Sequence, residues 1–340
     1  MNFKLVLISM AAIAGAGVLL FSMGSKTSNS KFDIELDAQF RQFKKNFSKD
    51  YLTTQEDSYR RGVFAETLKR IAAHNAKKTT FSLGITKFSD LNAEERRAQY
   101  LSKFPVQKNT HCAEPAYRLS NDDSDEVDWQ AQGKVQAVKD QKQCGSCWAF
   151  AAIGALESSF AIFQKIDVPS LSEQELVDCS HDYGNDGCNG GLPGYGYNYI
   201  LDHKINTEDK YPYKGQDKKC KSISGKGDFA MKGCVKVQDD VNGLIDAIRV
   251  QPVAVGFYVQ DDFFDYTGGV YDPVGCDDQP NHGVVAVGFN ISKDQEKPFF
   301  KVKNSWGTGW GEEGYFRVAT GEGKGTCDIA GNGCNFYPSV

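Results

Sequence analysis

Gln141-Lys142-Gln143-Cys144-Gly145-Ser146-Cys147-Trp148-Ala149-Phe150 places two cysteines three residues apart, where a polar stretch gives way to an Ala-rich apolar run. Gly145 and Ser146 permit a tight backbone path, and the spacing predicts a helix over Cys147–Phe163. Trp148, Phe150, Ile153, Leu156 and Phe160 face inward along it. Cys147 therefore opens a helix. A thiol there meets unpaired backbone N–H groups and the positive helix end, both of which favour thiolate. A Cys-x-x-Cys pair is also compatible with a redox couple or half of a zinc site. No second such pair follows, and Trp-Ala-Phe is ill suited to a solvated redox tip.

Downstream, Ser172-Glu173-Gln174-Glu175 reads as a capping box opening a helix to Cys179, and Asp182 to Gly194 is a Gly/Asn-rich loop. Past Cys234 the pattern turns to strands over 253–259, 284–289, 299–304 and 314–319, separated by Gly/Asp turns. Helices first and strands second predict an α+β fold of two subdomains. Upstream, Phe40, Phe43, Phe47 and Tyr51 recur at helical spacing. Tyr59, Val63, Phe64, Leu68 and Ile71 make the stripe of a second amphipathic helix. Short alternation marks 80–90, and Asn92-Ala-Glu-Glu95 caps another helix. Residues 104–126 are polar, carry two prolines and end in Asn-Asp-Asp-Ser-Asp-Glu, the composition of a cleavable linker.

The formal charge of -5 is unevenly placed. Residues 1–122 carry 19 Lys+Arg against 12 Asp+Glu, and residues 123–340 carry 20 against 32. Opposite signs suit two parts of one precursor that bind each other. Neither half has the basic, aromatic-interleaved patch of a nucleic-acid site. Ten cysteines, nine of them after residue 143, argue for an oxidising compartment, with bridges and one working thiol. Lys4 and the apolar run Leu5–Met23 read as a signal peptide over residues 1–24, or as a retained signal-anchor.

The stretch around Cys147 resembles the nucleophile signature of the papain-like cysteine proteases. So do Cys188-Asn-Gly-Gly191, Asn281-His282-Gly283, Lys303-Asn-Ser-Trp-Gly307 and Gly309-Trp-Gly-Glu-x-Gly-Tyr315 in the same order. The resemblance spans residues 127–340. It implies the papain-like architecture: a helical left subdomain and a β-barrel-like right subdomain in a peptidase domain over 123–340, preceded by a helical pro-segment over 25–122. Cys147 would attack the peptide carbonyl and His282 would be its ion-pair partner. Asn304 would orient the imidazole, Trp306 would shield that bond, and Gln141 would donate to the oxyanion together with the Cys147 N–H. Of the five histidines, only His282 starts an apolar strand. It lies 135 residues beyond Cys147, inside the family interval of about 130–150.

The resemblance also implies the bridges Cys144–Cys188, Cys179–Cys220 and Cys276–Cys327. Pairing Cys234 with Cys334 would balance the count. Gly190 and Gly191 would pair with extended substrate, and Leu192, Pro193, Gly256 and Pro280 would wall a second pocket that favours a bulky apolar residue at P2. The pocket floor, expected after Cys327, is not assignable from the sequence. Asn281 stands where papain has aspartate, which implies an altered pH dependence. Glu56, Arg60, Phe64, Ile71 and Asn75, with Gly84-Ile-Thr-Lys-Phe-Ser-Asp90, resemble the inhibitory pro-segment of the cathepsin L-like branch, with Thr67 and Thr86 in place of asparagines. The expected product is an autoinhibited endopeptidase zymogen, released at low pH and cut near 120–126. No metal or cofactor is implied. Expected partners are polypeptide substrates, the chain's own pro-segment and cystatin-like inhibitors, with no nucleic acid and a monomeric state. The expected location is the secretory pathway, ending in a lysosome or vacuole or outside the cell. Asn46-Phe-Ser48 and Asn290-Ile-Ser292 match glycosylation acceptors. A cathepsin B-like exopeptidase would need a His-rich insertion between Gly191 and Cys220, which the sequence lacks, and a pro-segment of another pattern. An aminopeptidase would need an attached pro-derived strand, and no matching short cysteine peptide is evident; only Cys112, if its portion were retained, could bridge to the peptidase domain. A catalytically dead binding or storage protein would have lost Cys147, His282 or Asn304, and all three are present.

Overall fold

The computed structural model describes residues 26–105, 110–114, 123–221, 227–276, 279–331 and 333–340. The reading of residues 1–24 as a signal or anchor falls outside these, as does most of the expected cleavage region. No helix among the described residues is long and apolar enough to cross a membrane. The described residues form two compact units, divided between Lys49 and Asp50.

In the first unit, α1 (Lys26–Asn46) sets Phe40 and Phe43 on one face with ring centroids 6.1 Å apart. The second unit opens with α2 (Thr54–Asn75), β1 (Phe81–Leu83) and α3 (Ala93–Tyr100). The Asn92 box is complete: its side chain accepts from Glu95 N and the Glu95 carboxylate accepts from Asn92 N. After β2 (Glu126–Asp128) come α4 (Cys147–Phe163), α5 (Glu173–Cys179) and α6 (Pro193–His203). The sheet region follows with β3 (Gly233–Lys236), α7 (Val241–Val250), β4 (Val253–Phe257), β5 (Tyr266–Tyr271), β6 (His282–Asn290), β7 (Phe299–Lys303), β8 (Tyr315–Ala319) and β9 (Phe336–Ser339). The α7 helix lies ahead of the strands expected from residue 253; its Leu244, Ile245, Ala247 and Ile248 are buried at helical spacing. At α5 only half of the expected box forms. Ser172 Oγ accepts from Glu175 N at 3.0 Å, while the Glu175 carboxylate turns to Asn206 and Tyr199.

The two-subdomain α+β architecture is present, but the expected β-barrel is not. The sheet is open, in the order β1-β5-β8-β7-β6-β4-β9-β3 with β2 on β6. Closure would require the end strands to pair with each other. Instead the upstream segment occupies both margins. Phe81–Leu83 is the strand beyond β5, and Ala113 bridges to Val235 of β3. Edges covered in this way present few unpaired backbone groups. A core of Val253, Val255, Val284, Phe300, Val302 and Phe316 lies under the sheet, and another of Trp148, Ile153, Leu156, Leu176 and Tyr197 lies among the helices. The α4 helix is buried along almost its whole length and runs between them.

Candidate active site

The site lies where the start of α4 meets the start of β6. Cys147 is the first residue of α4 and is fully buried. His282 is the first residue of β6, also fully buried, and pairs with Phe257 across the sheet. A Cβ added to Gly283 would lie 3.0 Å from the Cys147 carbonyl oxygen, so the strand carrying the imidazole rests directly on the backbone at the start of α4. His282 Nε2 is 2.8 Å from Asn304 Oδ1. His282 Nδ1 has no hydrogen-bond partner among the described residues. Trp306 packs beside the imidazole with ring centroids 4.8 Å apart. Phe264 stacks on Trp306 at 4.8 Å, which fixes that indole as a wall.

Gln141 is buried and fully engaged. Its Nε2 donates to Cys144 O at 2.9 Å and to Tyr100 O at 3.0 Å, and its Oε1 accepts from Ser305 Oγ at 2.7 Å. Ser305 gave no signal in the sequence beyond its place between Asn304 and Trp306, yet it holds Gln141 in orientation.

The upstream segment runs through this site. Ser102 Oγ is 3.0 Å from Cys147 Sγ, and Ser102 N donates to Asn281 O at 2.9 Å. Lys103 forms a parallel bridge with Gly190, and Gly191 N donates to Lys103 O at 3.2 Å. Gly190 adopts φ +142, and a Cβ there would sit 2.2 Å from Lys103 O, so only glycine allows the strand to approach. Phe88 reaches the back of the same wall, 5.0 Å from the Trp306 ring. Burial pushes the Cys147 thiol up, against lowering by Ser102 and by the N–H groups of Gly283, Trp148 and Cys147 itself. Burial pushes the His282 imidazole down to about 4, and its bond to Asn304 opposes this only in part. Both shifts favour neutral thiol and neutral imidazole while the segment is in place.

Leu192, Pro193 and Gly256 are buried and Pro280 is half-buried. The chain after Cys327 returns beside Gly256, whose N–H donates to Asn335 Oδ1 at 3.0 Å. Asn335 was out of reach of sequence reading because the loop before it has no regular period. Asn281 is structural on its side-chain face: it exchanges two bonds with the backbone of Val259 at 2.8 and 3.1 Å.

Three bridges are Cys144–Cys188, Cys179–Cys220 and Cys276–Cys327. The expected Cys234–Cys334 pair is corrected: Cys234 bonds Cys112. The physical reason is strand register. Residues 112–114 lie along β3, with Ala113 N donating to Cys234 O at 2.8 Å, which brings the two sulfurs together. Cys334 is a buried thiol that burial pushes up to about 12. Among the described residues no His/Cys/Asp/Glu group is arranged to hold a metal ion.

The model of the papain family cysteine proteases matches residues 124–336. This chain belongs to the papain family. The model of the cathepsin propeptide inhibitor domain matches residues 40–95. Papain-family relatives include pro-cathepsin H of Bos taurus, 38% identical over 84% of this chain and 85% of the relative. A cathepsin L-like proteinase of Fasciola hepatica is 35% identical over 86% of this chain and 91% of its own. Digestive procathepsin L 3 of Tenebrio molitor superposes with a TM-score of 0.81 at 34% identity, covering 90% of this chain and 99% of that one. The papain-family chain described here is a cysteine endopeptidase of the cathepsin L/H-like branch, made as a zymogen inhibited by its own pro-segment.

Proposed function

We propose that the mature enzyme cuts polypeptides through the Cys147–His282 pair. The carrying observation is that Asn304 engages His282 Nε2, leaving Nδ1 as the nitrogen for the sulfur, while Gly283 packs against the Cys147 backbone. With the pro-segment gone, the thiol gives its proton to Nδ1, and the thiolate attacks the scissile carbonyl. Gln141 Nε2, released from Tyr100, and the Cys147 N–H stabilise the oxyanion. The imidazolium then protonates the leaving amine, and water hydrolyses the thioester with His282 as base. Asn304 keeps the ring oriented without placing a full charge beside the ion pair, and Trp306 keeps water from the His282–Asn304 bond.

Gly190 and Gly191 would hold the substrate backbone as they hold Lys103. Leu192, Pro193, Gly256 and Pro280 form an apolar wall, with no acid among them, which supports a bulky apolar P2 residue. Four disulfides support folding in the secretory pathway, for use in a lysosome or vacuole or outside the cell. The enzyme acts as a monomer open to cystatin-like inhibitors, with no metal or cofactor. Asn290 is a poor glycan acceptor: it is buried and its Oδ1 accepts from Ser292 N and Oγ. The test is acid activation of wild type and Cys147→Ala, followed by hydrolysis of a peptide library varied at P2. Equal activity in both would sink the mechanism, and preference for charged P2 residues would sink the pocket.

One observation favours a second, narrower reading. The Cys112–Cys234 bridge ties an upstream fragment to the peptidase domain, so cleavage on both sides of residues 110–114 would leave it attached. Thr110 lies against Gly194 in the first turn of α6, next to Leu192 and Pro193, and His111 N donates to Asn198 Oδ1 at 2.9 Å. A retained fragment there would shorten the cleft and favour trimming near a substrate's N-terminus. Comparing a peptide series lengthened on the P side before and after mild reduction separates the two readings.

A further inference from the structure

Asp265 is fully buried, yet it lies on the peptidase domain's surface under two pro-segment helices. Arg96 of α3, 1% exposed, grips it as a fork: Nη1 to Oδ2 at 3.1 Å and Nη2 to Oδ1 at 3.2 Å. Arg70 of α2 adds Nη2 to Oδ2. The remaining donors of Arg96 are also taken. Nε bonds Leu91 O at 2.9 Å, Nη1 bonds Asp261 O at 3.2 Å and Nη2 bonds Thr67 Oγ1 at 3.4 Å. All five guanidinium N–H groups therefore have acceptors, three of them on the peptidase domain. Arg97 pairs with Asp261 at 2.9 Å alongside.

We propose that Asp265 is the point at which the peptidase domain recognises its own pro-segment, an ionic lock read by the paired guanidiniums of Arg96 and Arg70. The inference rests on the zymogen reading and names the residues that make the pairing selective. The selectivity comes from what a mismatch would leave behind. A pro-segment with an apolar residue at position 96 would bury the Asp265 carboxylate short of its main partner. A peptidase domain lacking the acid would bury the Arg96 guanidinium unpaired. Each is strongly disfavoured, whereas the matched pair is satisfied. A lysine at 96 cannot reproduce the fork, because its ammonium lacks the planar pair of donors. The lock also ties α2 to α3 through Thr67, so both helices dock as one piece.

The test uses the full-length precursor and reads opening as the rate at which iodoacetamide alkylates Cys147, mapped by mass spectrometry at pH 7. Asp265→Asn and Arg96→Gln should each raise that rate about 100-fold. Arg96→Lys should behave like Arg96→Gln, and the double variant Arg96→Gln/Asp265→Asn should open no faster than the faster single one. Asp265→Asn enzyme, once processed, should keep wild-type kcat/KM on a short peptide. If the buried variants do not fold, Arg70→Gln decides: its guanidinium side chain is 40% exposed, and opening about 10-fold faster is expected. Rates within about twofold of wild type in the variants that fold, or additive effects in the double variant, overturn the lock. If the wild-type precursor itself reacts at the mature rate, it is the zymogen reading that fails, and the lock with it.

Discussion

His282 Nε2 lies 2.8 Å from Asn304 Oδ1, and Asn304 Oδ1 also accepts from Ser305 N at 2.8 Å. The amide oxygen is thus fixed by its own backbone before it fixes the ring. Asn304→Ala removes the orienting acceptor but neither reacting atom. Activity is expected to fall by about 10–100-fold in kcat with KM little changed. Steady-state kinetics on one short substrate would show it; a change confined to KM would place Asn304 outside the chemistry.

Gln141→Ala should cost more, about 100- to 1000-fold in kcat, through loss of an oxyanion donor. The same change removes the acceptor of Ser305 Oγ and the donor to Tyr100 O, so the precursor should also lose latency. Both effects can be read on one preparation, before and after acid processing.

The imidazole, held down to about 4 by burial, links closure of the precursor to pH. A base whose folded value is depressed binds fewer protons in the closed state than in the unfolded chain. Its contribution is present above about pH 6.5 and is lost as pH falls through about 4. On this fully buried ring the effect is on the order of 3 kcal/mol. In a Cys147→Ala precursor, denaturant unfolding at pH 7 and pH 4 should show a stability difference that shrinks by about 1–3 kcal/mol when His282→Gln is added. An unchanged difference would assign the acid sensitivity to carboxylates elsewhere.

Lys139 reaches Glu157 at 2.8 Å and Glu173 at 2.7 Å in the seam between α4, α5 and β7. Burial raises the Glu173 carboxyl, and Lys139 opposes it. Lys139→Met leaves two buried acids without their main counter-charge and is expected to cost about 3–5 kcal/mol at neutral pH. Part of that loss should return as Glu173 protonates on acidification. Thermal unfolding at pH 7 and pH 5 would test it; equal losses at both would argue that the lysine acts through packing alone.

The Cys112–Cys234 bridge predicts that non-reducing mass analysis of acid-processed enzyme recovers the Cys112 peptide on the peptidase domain, and that reduction releases it. Recovery of Cys234 bonded to Cys334 in the processed enzyme would show that the bridge rearranges on maturation.

Much of the site could be read along the chain because its parts are local. A thiol after Gly145-Ser146 must open the helix that the Trp148–Phe160 stripe requires, and His282 must start the apolar strand that follows it. Three of the four bridges were legible only through motifs of the family. Pairing by count failed at Cys234, because chain order says nothing of which strand edge Cys112 lies beside. Helix α7 carries Leu244, Ile245, Ala247 and Ile248 at helical spacing, but Gly243 and the β-branched Val241, Ile245, Ile248 and Val250 give it little local helix preference, and packing against β6 and β4 stabilises it.

By itself, then, the order of residues determined that Cys147 opens a helix and His282 opens an apolar strand, since short-range periodicity and caps act within a few residues. Only the tertiary structure decided that the sheet stays open, that Ser102 stands against the thiol, and that Arg96 and Arg70 meet on Asp265. Each depends on segments far apart in the chain arriving at one place. Burial there turns ordinary polar groups into partners that must be satisfied, and no local pattern records that requirement.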